Sequence, residues 1–147
     1  MNGLHYLDTS FIAAYLIPEP DSDRVEATLH SLPDGSFRVS QWTRTELASL
    51  LARKVRMKEL SEQDSLRVFG IFDELVNSGV FVMVSIAAEE FQKASGWVLN
   101  ASLGLRGPDG LHLAVTHKLD ATIWTLDVKL KTIAEKLGLR TGSLLPS

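Results

Sequence analysis

Apolar residues fall along this chain in two rhythms. Short continuous runs at 4–7, 37–40, 81–84 and 121–125 read as buried strands. Between them, apolar positions recur every three or four residues, the spacing of one helix face. The first helix holds 11–16, with Thr9 or Ser10 as its cap, and Pro18 and Pro20 end it. A second starts at Ser22 or Asp23 and runs to about 32, with Val25, Leu29 and Leu32 on one face, and Pro33-Asp34-Gly35 marks a turn. Further helices are predicted over 42–57, 61–77 (capped by Ser61, stopped by Asn77-Ser78-Gly79) and 87–102. After a loop at 104–107, Pro108 opens a helix to about 118, and Asp127 starts one through 137 that Gly138 ends. Residues 139–141 add an edge strand, and the tail to 147 reads as loose.

Strands alternating with helices predict a mostly parallel sheet covered on both faces, a three-layer α/β/α sandwich. The pair of helices between 42 and 77 has no strand between its members, so it should protrude as an α-hairpin beside the sheet. No linker, repeat or low-complexity segment divides residues 1–147, and 147 residues suffice for one domain with a sizeable core.

Composition narrows the class. With 45% hydrophobic and 22% charged residues, the chain is globular rather than disordered. It has no cysteine, which removes disulfides and zinc–thiolate sites and suits a reducing cytoplasm. The first residues lack a basic region, and Asp8 breaks their apolar run, so no secretory signal is expected. No run of about 18 apolar residues offers a membrane span. A net charge of −3 argues against a general nucleic-acid coat, whose affinity would come from excess Lys and Arg.

Four acids change the picture. Asp8 closes the first apolar run and Asp127 follows the fourth; Glu46 and Asp109 lie early in helical patterns. Each has an ordinary reading: a strand end for Asp8, a capping box with Thr43 for Glu46, a helix-dipole anion for Asp109, an N-cap for Asp127. Capping does not require the four to converge. Chain direction in a parallel sheet nevertheless sends all four to the edge where the strands' carboxyl ends lie and where ligands bind. Two carboxylates about 5 Å apart repel by roughly 3 kcal/mol at an effective dielectric near 20. Such a gathering raises a pKa or draws in a cation, and oxygen-only donors favour Mg²⁺ or Mn²⁺. Phosphodiester hydrolysis by a cation-activated water needs no Ser or Cys nucleophile, and no convincing triad is present.

The residues around the four acids resemble a known family, the PIN-domain nucleases. Tyr6-Leu7-Asp8-Thr9-Ser10 resembles their opening strand motif, and Thr45-Glu46-Leu47 their second acidic position. Pro108-Asp109-Gly110-Leu111-His112-Leu113-Ala114 is similar to the third, and Thr125-Leu126-Asp127-Val128-Lys129-Leu130 to the fourth. Order and spacing agree over nearly the whole chain. Its length and the hairpin after Glu46 most resemble the VapC toxins of toxin–antitoxin pairs. The resemblance implies a Mg²⁺- or Mn²⁺-dependent endoribonuclease with Asp8, Glu46, Asp109 and Asp127 as catalytic metal ligands. It also implies an RNA substrate, a cognate antitoxin and a homodimer. One departure is Gly110, where the family more often has Ala, a change that weakens a helix start by up to about 1 kcal/mol.

Other groups are ranked around these. The hydroxyls of Thr9, Ser10 and Thr125 either orient the carboxylates or a bound water, or serve as caps. Arg53-Lys54-Val55-Arg56-Met57-Lys58 places four cations in six residues, a solvated helix end or a phosphate-contact patch; Arg53 and Lys54 are the candidates there. Arg44 and Arg106 either meet RNA phosphate or pair with a carboxylate. His112 and His117, five apart, lie on different sides of one helix, and His112 reads as a packed or hydrogen-bonded core residue. Trp42, Trp97 and Trp124 are too scattered for a base-stacking platform. Leu60, Val68 and Phe72 of the hairpin are candidates for a dimer or antitoxin surface. A phosphotransferase of the haloacid-dehalogenase kind would want a second Asp at position 10, where Ser stands. The remaining alternative is a non-catalytic RNA- or protein-binding module.

Overall fold

A computed structural model describes residues 3–146; Met1, Asn2 and the tail's last residue, Ser147, lie outside the described residues. The four apolar runs form β1 (His5–Leu7), β2 (Phe37–Ser40), β3 (Phe81–Val84) and β4 (Thr122–Trp124), and Arg140–Thr141 adds β5 at the edge. Every pairing among them is parallel, in the order β3-β2-β1-β4-β5. The chain works outward from β1 through β2 to β3, then returns to the other side of β1 as β4. The carboxyl ends of β1 and β4 therefore flank the point where strand order reverses, the place where open α/β sheets keep their ligands.

Among the described residues, seven α-helices connect the strands: α1 (Thr9–Leu16), α2 (Ser22–His30), α3 (Gln41–Arg56), α4 (Glu62–Asn77), α5 (Ala88–Leu99), α6 (Gly107–Leu119) and α7 (Val128–Lys136). The expected helix over 87–102 is instead α5 followed by a short 3₁₀ turn at Ala101–Leu103, where Asn100 leaves helical geometry and its side chain caps Ser102. Alternation along β1 divides the core. Leu7 joins Phe11, Val25, Leu47 and Phe72 on one face, while Tyr6 joins Leu113, Ile123 and Ile133 on the other. Helices α1 to α4 cover the first face and α6 and α7 the second, with α5 packed along α6, which gives three layers.

The α3–α4 hairpin is tied to the sheet by its inner half. Leu47 and Leu51 of α3 and Val68 and Phe72 of α4 are buried, and the Phe72 ring lies 6.3 Å from that of Phe81. Val68 and Phe72 therefore do not form the partner surface expected of them: the chain buries both itself, and Leu60 packs partly against the same cluster. The large apolar side chains of the hairpin left exposed are Met57, 60% exposed, and Leu66, 69% exposed.

Gly110 also has a structural reason beyond helix propensity. A Cβ built on it would lie 3.1 Å from Val98 Cγ2 and 3.4 Å from Ala94 Cβ, so α5 and α6 approach so closely there that even a methyl group needs Val98 to give by a few tenths of an ångström. Gly110→Val is expected to destabilise the fold by about 1–3 kcal/mol through overpacking, read from the urea midpoint. A variant as stable as wild type would show that α5 shifts freely.

Candidate active site

The four acids reach their places through the ends of their elements. Asp8 keeps extended geometry after β1 and caps α1, its Oδ1 accepting from Phe11 N–H at 3.0 Å. Thr9 and Ser10, expected as caps, lie inside the helix because Asp8 already fills that role, which leaves their hydroxyls for other work. Ser10 Oγ donates to Asp8 Oδ1 at 2.7 Å and accepts from Leu126 N–H at 3.0 Å, so it ties the end of β1 to the segment after β4. Thr125 Oγ1 lies 3.3 Å from Ser10 Oγ and accepts from Asp127 N–H at 3.1 Å.

Glu46 is free of the capping role that its spacing from Thr43 suggests. The box at the start of α3 is formed by Ser40 and Thr43, because the helix begins at Gln41 directly after β2. Asp109 sits in the first turn of α6, and Arg106 Nη2 lies 3.5 Å from its Oδ2. Asp127 does cap α7, its Oδ1 accepting from Lys129 and Leu130 N–H at 2.9 and 3.2 Å.

All four acids line one open cleft of about 380 Å³ at the carboxyl edge of the sheet. Thr9, Ser10, His112, Arg53, Arg56 and Arg106 line it too, with Ser49 and Leu50. The carboxylates line this cleft without closing on a point: among the described residues, no three Asp, Glu or His are drawn together tightly enough to hold a metal ion as they stand.

Electrostatics sort the acids. Asp8 is 4% exposed, and burial raises its pKa despite opposition from His112, Thr125, Ser10 and the Phe11 amide. Asp109 is raised as well, by burial first; Arg106 and His112 oppose this, and Asp127 and Glu46 reinforce it by repulsion. Glu46 goes the other way. Burial alone would raise it, but the hydrogen bond and charge of His112, the Thr9 hydroxyl and Arg106 hold it below the usual carboxylate range. Burial disfavours a charged His112, yet Tyr6, the Glu46 hydrogen bond and the field of Asp8 together push its pKa up to about 10.

His112 is the residue whose part in the site the sequence did not disclose. It is a hydrogen-bonded core histidine, 2% exposed, as its helical position suggests. Its Nε2 also makes a short hydrogen bond to Glu46 Oε1, and its Nδ1 lies 2.7 Å from the Tyr6 hydroxyl. The signal that could have found it is its position three residues after Asp109, nearly one turn along the same helix.

The cations expected at RNA phosphate divide. Arg53 and Arg106 reach the cleft, and so does Arg56, which belongs to the same basic run. Arg44 does not: it makes a two-pronged bond to Asp73, both contacts 3.1 Å, and lies 4.6 Å over the Phe69 ring. Lys54 is outside the cleft as well and pairs with Glu59 at 3.5 Å. Both are turned to partners along the hairpin.

A family model described as the PIN domain matches residues 5–136, so the chain belongs to the PIN domain family. Solved structures share its fold. VapC20 of Mycobacterium tuberculosis, described as a sarcin–ricin loop cleaving toxin, superposes with a TM-score of 0.71 at 18% identity, over 87% of this chain and 93% of that one. The FitAcB structure from Neisseria gonorrhoeae gives a TM-score of 0.68 at 20% identity, over 95% and 97%. VapBC-1 from nontypeable Haemophilus influenzae gives 0.67 at 15%, over the same shares. No curated protein matches the chain.

Proposed function

We propose that the protein is a metal-dependent endoribonuclease and the toxin of a toxin–antitoxin pair. One observation carries this reading: in a PIN domain, four carboxylates from four separate segments line a single cleft at the sheet's switch point. The donor set fits a hard divalent cation. It offers carboxylate oxygens, two of its acids are raised by burial, and repulsion from Asp127 and Glu46 adds to the shift of Asp109. Asp8, Glu46, Asp109 and Asp127 would hold Mg²⁺ or Mn²⁺. When bound, such an ion polarises phosphate oxygens and makes water more acidic.

The chain's own groups supply the rest. Ser10 and the Phe11 amide fix Asp8, and Thr9 and His112 fix Glu46. Arg106, beside Asp109 Oδ2, orients that carboxylate. Arg53 and Arg56, on α3 and exposed, are placed to meet the phosphates flanking the cleaved bond. The likeness to Vap and Fit structures supports a protein antitoxin as partner; a homodimer and a cytoplasmic setting complete the proposal. Among the described residues, no helix is long and apolar enough to cross a membrane.

The test is incubation of the purified protein with total RNA and Mg²⁺ or Mn²⁺, followed by end mapping. Defined cleavage ends that vanish with EDTA and return with excess metal are expected. Cleavage indifferent to EDTA contradicts the metal. RNA binding without cleavage in either metal favours the non-catalytic alternative. A second expectation concerns the arginines. In the cleavage-dead Asp8→Asn background, Arg53→Gln with Arg56→Gln should lower the slope of log affinity against log salt for single-stranded RNA by about 1.4. An unchanged slope removes both from the phosphate path.

A further inference from the structure

Five buried or half-buried groups, from β1, the start of α3 and α6, form one hydrogen-bonded line ending at Glu46. Ser40 Oγ lies 2.9 Å and Thr43 Oγ1 3.3 Å from the Tyr6 hydroxyl, which lies 2.7 Å from His112 Nδ1. The opposite edge of the same ring, Nε2–H, donates to Glu46 Oε1, which also accepts from Thr9 Oγ1 at 2.7 Å. Tyr6, Ser40 and Thr43 are fully buried. Both hydrogen bonds to Glu46 fall on Oε1, leaving Oε2 available to the cleft. We infer that His112 is a positioning residue, clamped by Tyr6, that fixes the Glu46 carboxylate so that Oε2 is presented to a divalent cation in the acidic cleft.

The reason lies in the freedom of a glutamate. Its three side-chain torsions would otherwise let the carboxylate of α3 swing about the open cleft, and each would have to be ordered when an ion binds. A ring locked at both nitrogens removes that freedom in advance, as outer partners of metal-binding carboxylates generally do. The line also crosses the layers, joining β1, the start of α3, and α6, so it sets the spacing between the helices that carry Glu46 and Asp109.

This inference rests on the metal-dependent reading above, and its test separates the two. Mn²⁺ affinity is measured by calorimetry for wild type, His112→Leu, His112→Gln and Tyr6→Phe, with thermal melting as the check on folding. Positioning predicts Mn²⁺ binding about 10-fold or more weaker in His112→Leu, in part recovered in His112→Gln, whose amide can still donate to Glu46. Tyr6→Phe, which does not line the cleft, should weaken binding several-fold. In RNA cleavage, kcat should fall while KM stays, because the arginines are untouched. A ring that merely fills space would leave Mn²⁺ binding unchanged in His112→Leu, so a loss of affinity is the decisive result. Wild-type uptake with equal or tighter binding by folded His112→Leu overturns the inference. Should that variant fail to fold, unchanged binding by Tyr6→Phe overturns it. No uptake by wild type removes the metal reading, and this inference with it.

Discussion

Asp8→Asn is expected to reduce RNA cleavage by about 100-fold or more while leaving the fold intact. The substitution is nearly isosteric and keeps the acceptor that matters locally. Asn caps helices as well as Asp, and its Oδ1 can still accept from Phe11 N–H and Ser10 Oγ. What it removes is a charge in a nearly sealed position. Because burial raises the folded pKa of Asp8 above its unfolded value, the ionised carboxylate opposes folding at neutral pH. The variant should therefore melt at the same temperature as wild type or higher at pH 7. That gain should shrink on acidification, as wild type takes up the proton. End-mapped RNA cleavage beside thermal melts at pH 7 and pH 4 checks both halves. Wild-type rates in the variant would remove Asp8 from the chemistry, and a lower midpoint would contradict the electrostatic account.

Phe72→Ala is expected to cost about 3–5 kcal/mol of stability, a large share of the roughly 5–15 kcal/mol typical of a domain. The ring is fully buried between the hairpin and the sheet, in a cluster with Leu47, Leu51, Val68 and Phe81. Its removal opens a cavity that two helices and a strand cannot close together. Leu66→Ala on the same helix, at a site 69% exposed, should change stability by less than about 0.5 kcal/mol. Urea unfolding with unchanged slope reads the difference. The pair matters for function because α3 carries Glu46, Arg53 and Arg56 into the cleft and is held by the packing of Leu47 and Leu51. If the two substitutions cost the same, the hairpin is not anchored as described.

The strands β2 and β3 and the end of α4 at Asn77 were legible from apolar runs and turn residues, because those signals are local. So was the parallel topology, since each strand is followed by a helical pattern. The chain directions that send Asp8 and Asp127 to one edge follow from the same local reading. Contacts between distant segments were not legible. Tyr6 and His112 are 106 residues apart, and nothing near either names the other. Arg44 meets Asp73 across the hairpin, a pairing set by the register of two helices. The close approach of Val98 to Gly110 depends on how α5 lies on α6. Charge reasoning ascribed a raised pKa to repulsion among the acids, whereas burial is the first cause at Asp8 and Asp109, and the buried His112 opposes the rise at both and lowers Glu46.

Whether the carboxylates lining this cleft act together as a binding site for a divalent ion is tested most directly by titrating the protein with Mn²⁺ in a calorimeter, wild type beside Asp8→Asn and Asp127→Asn. The expected result is saturable uptake by wild type that either substitution sharply weakens. Heats of dilution alone from wild type, or identical isotherms for all three proteins, would contradict it.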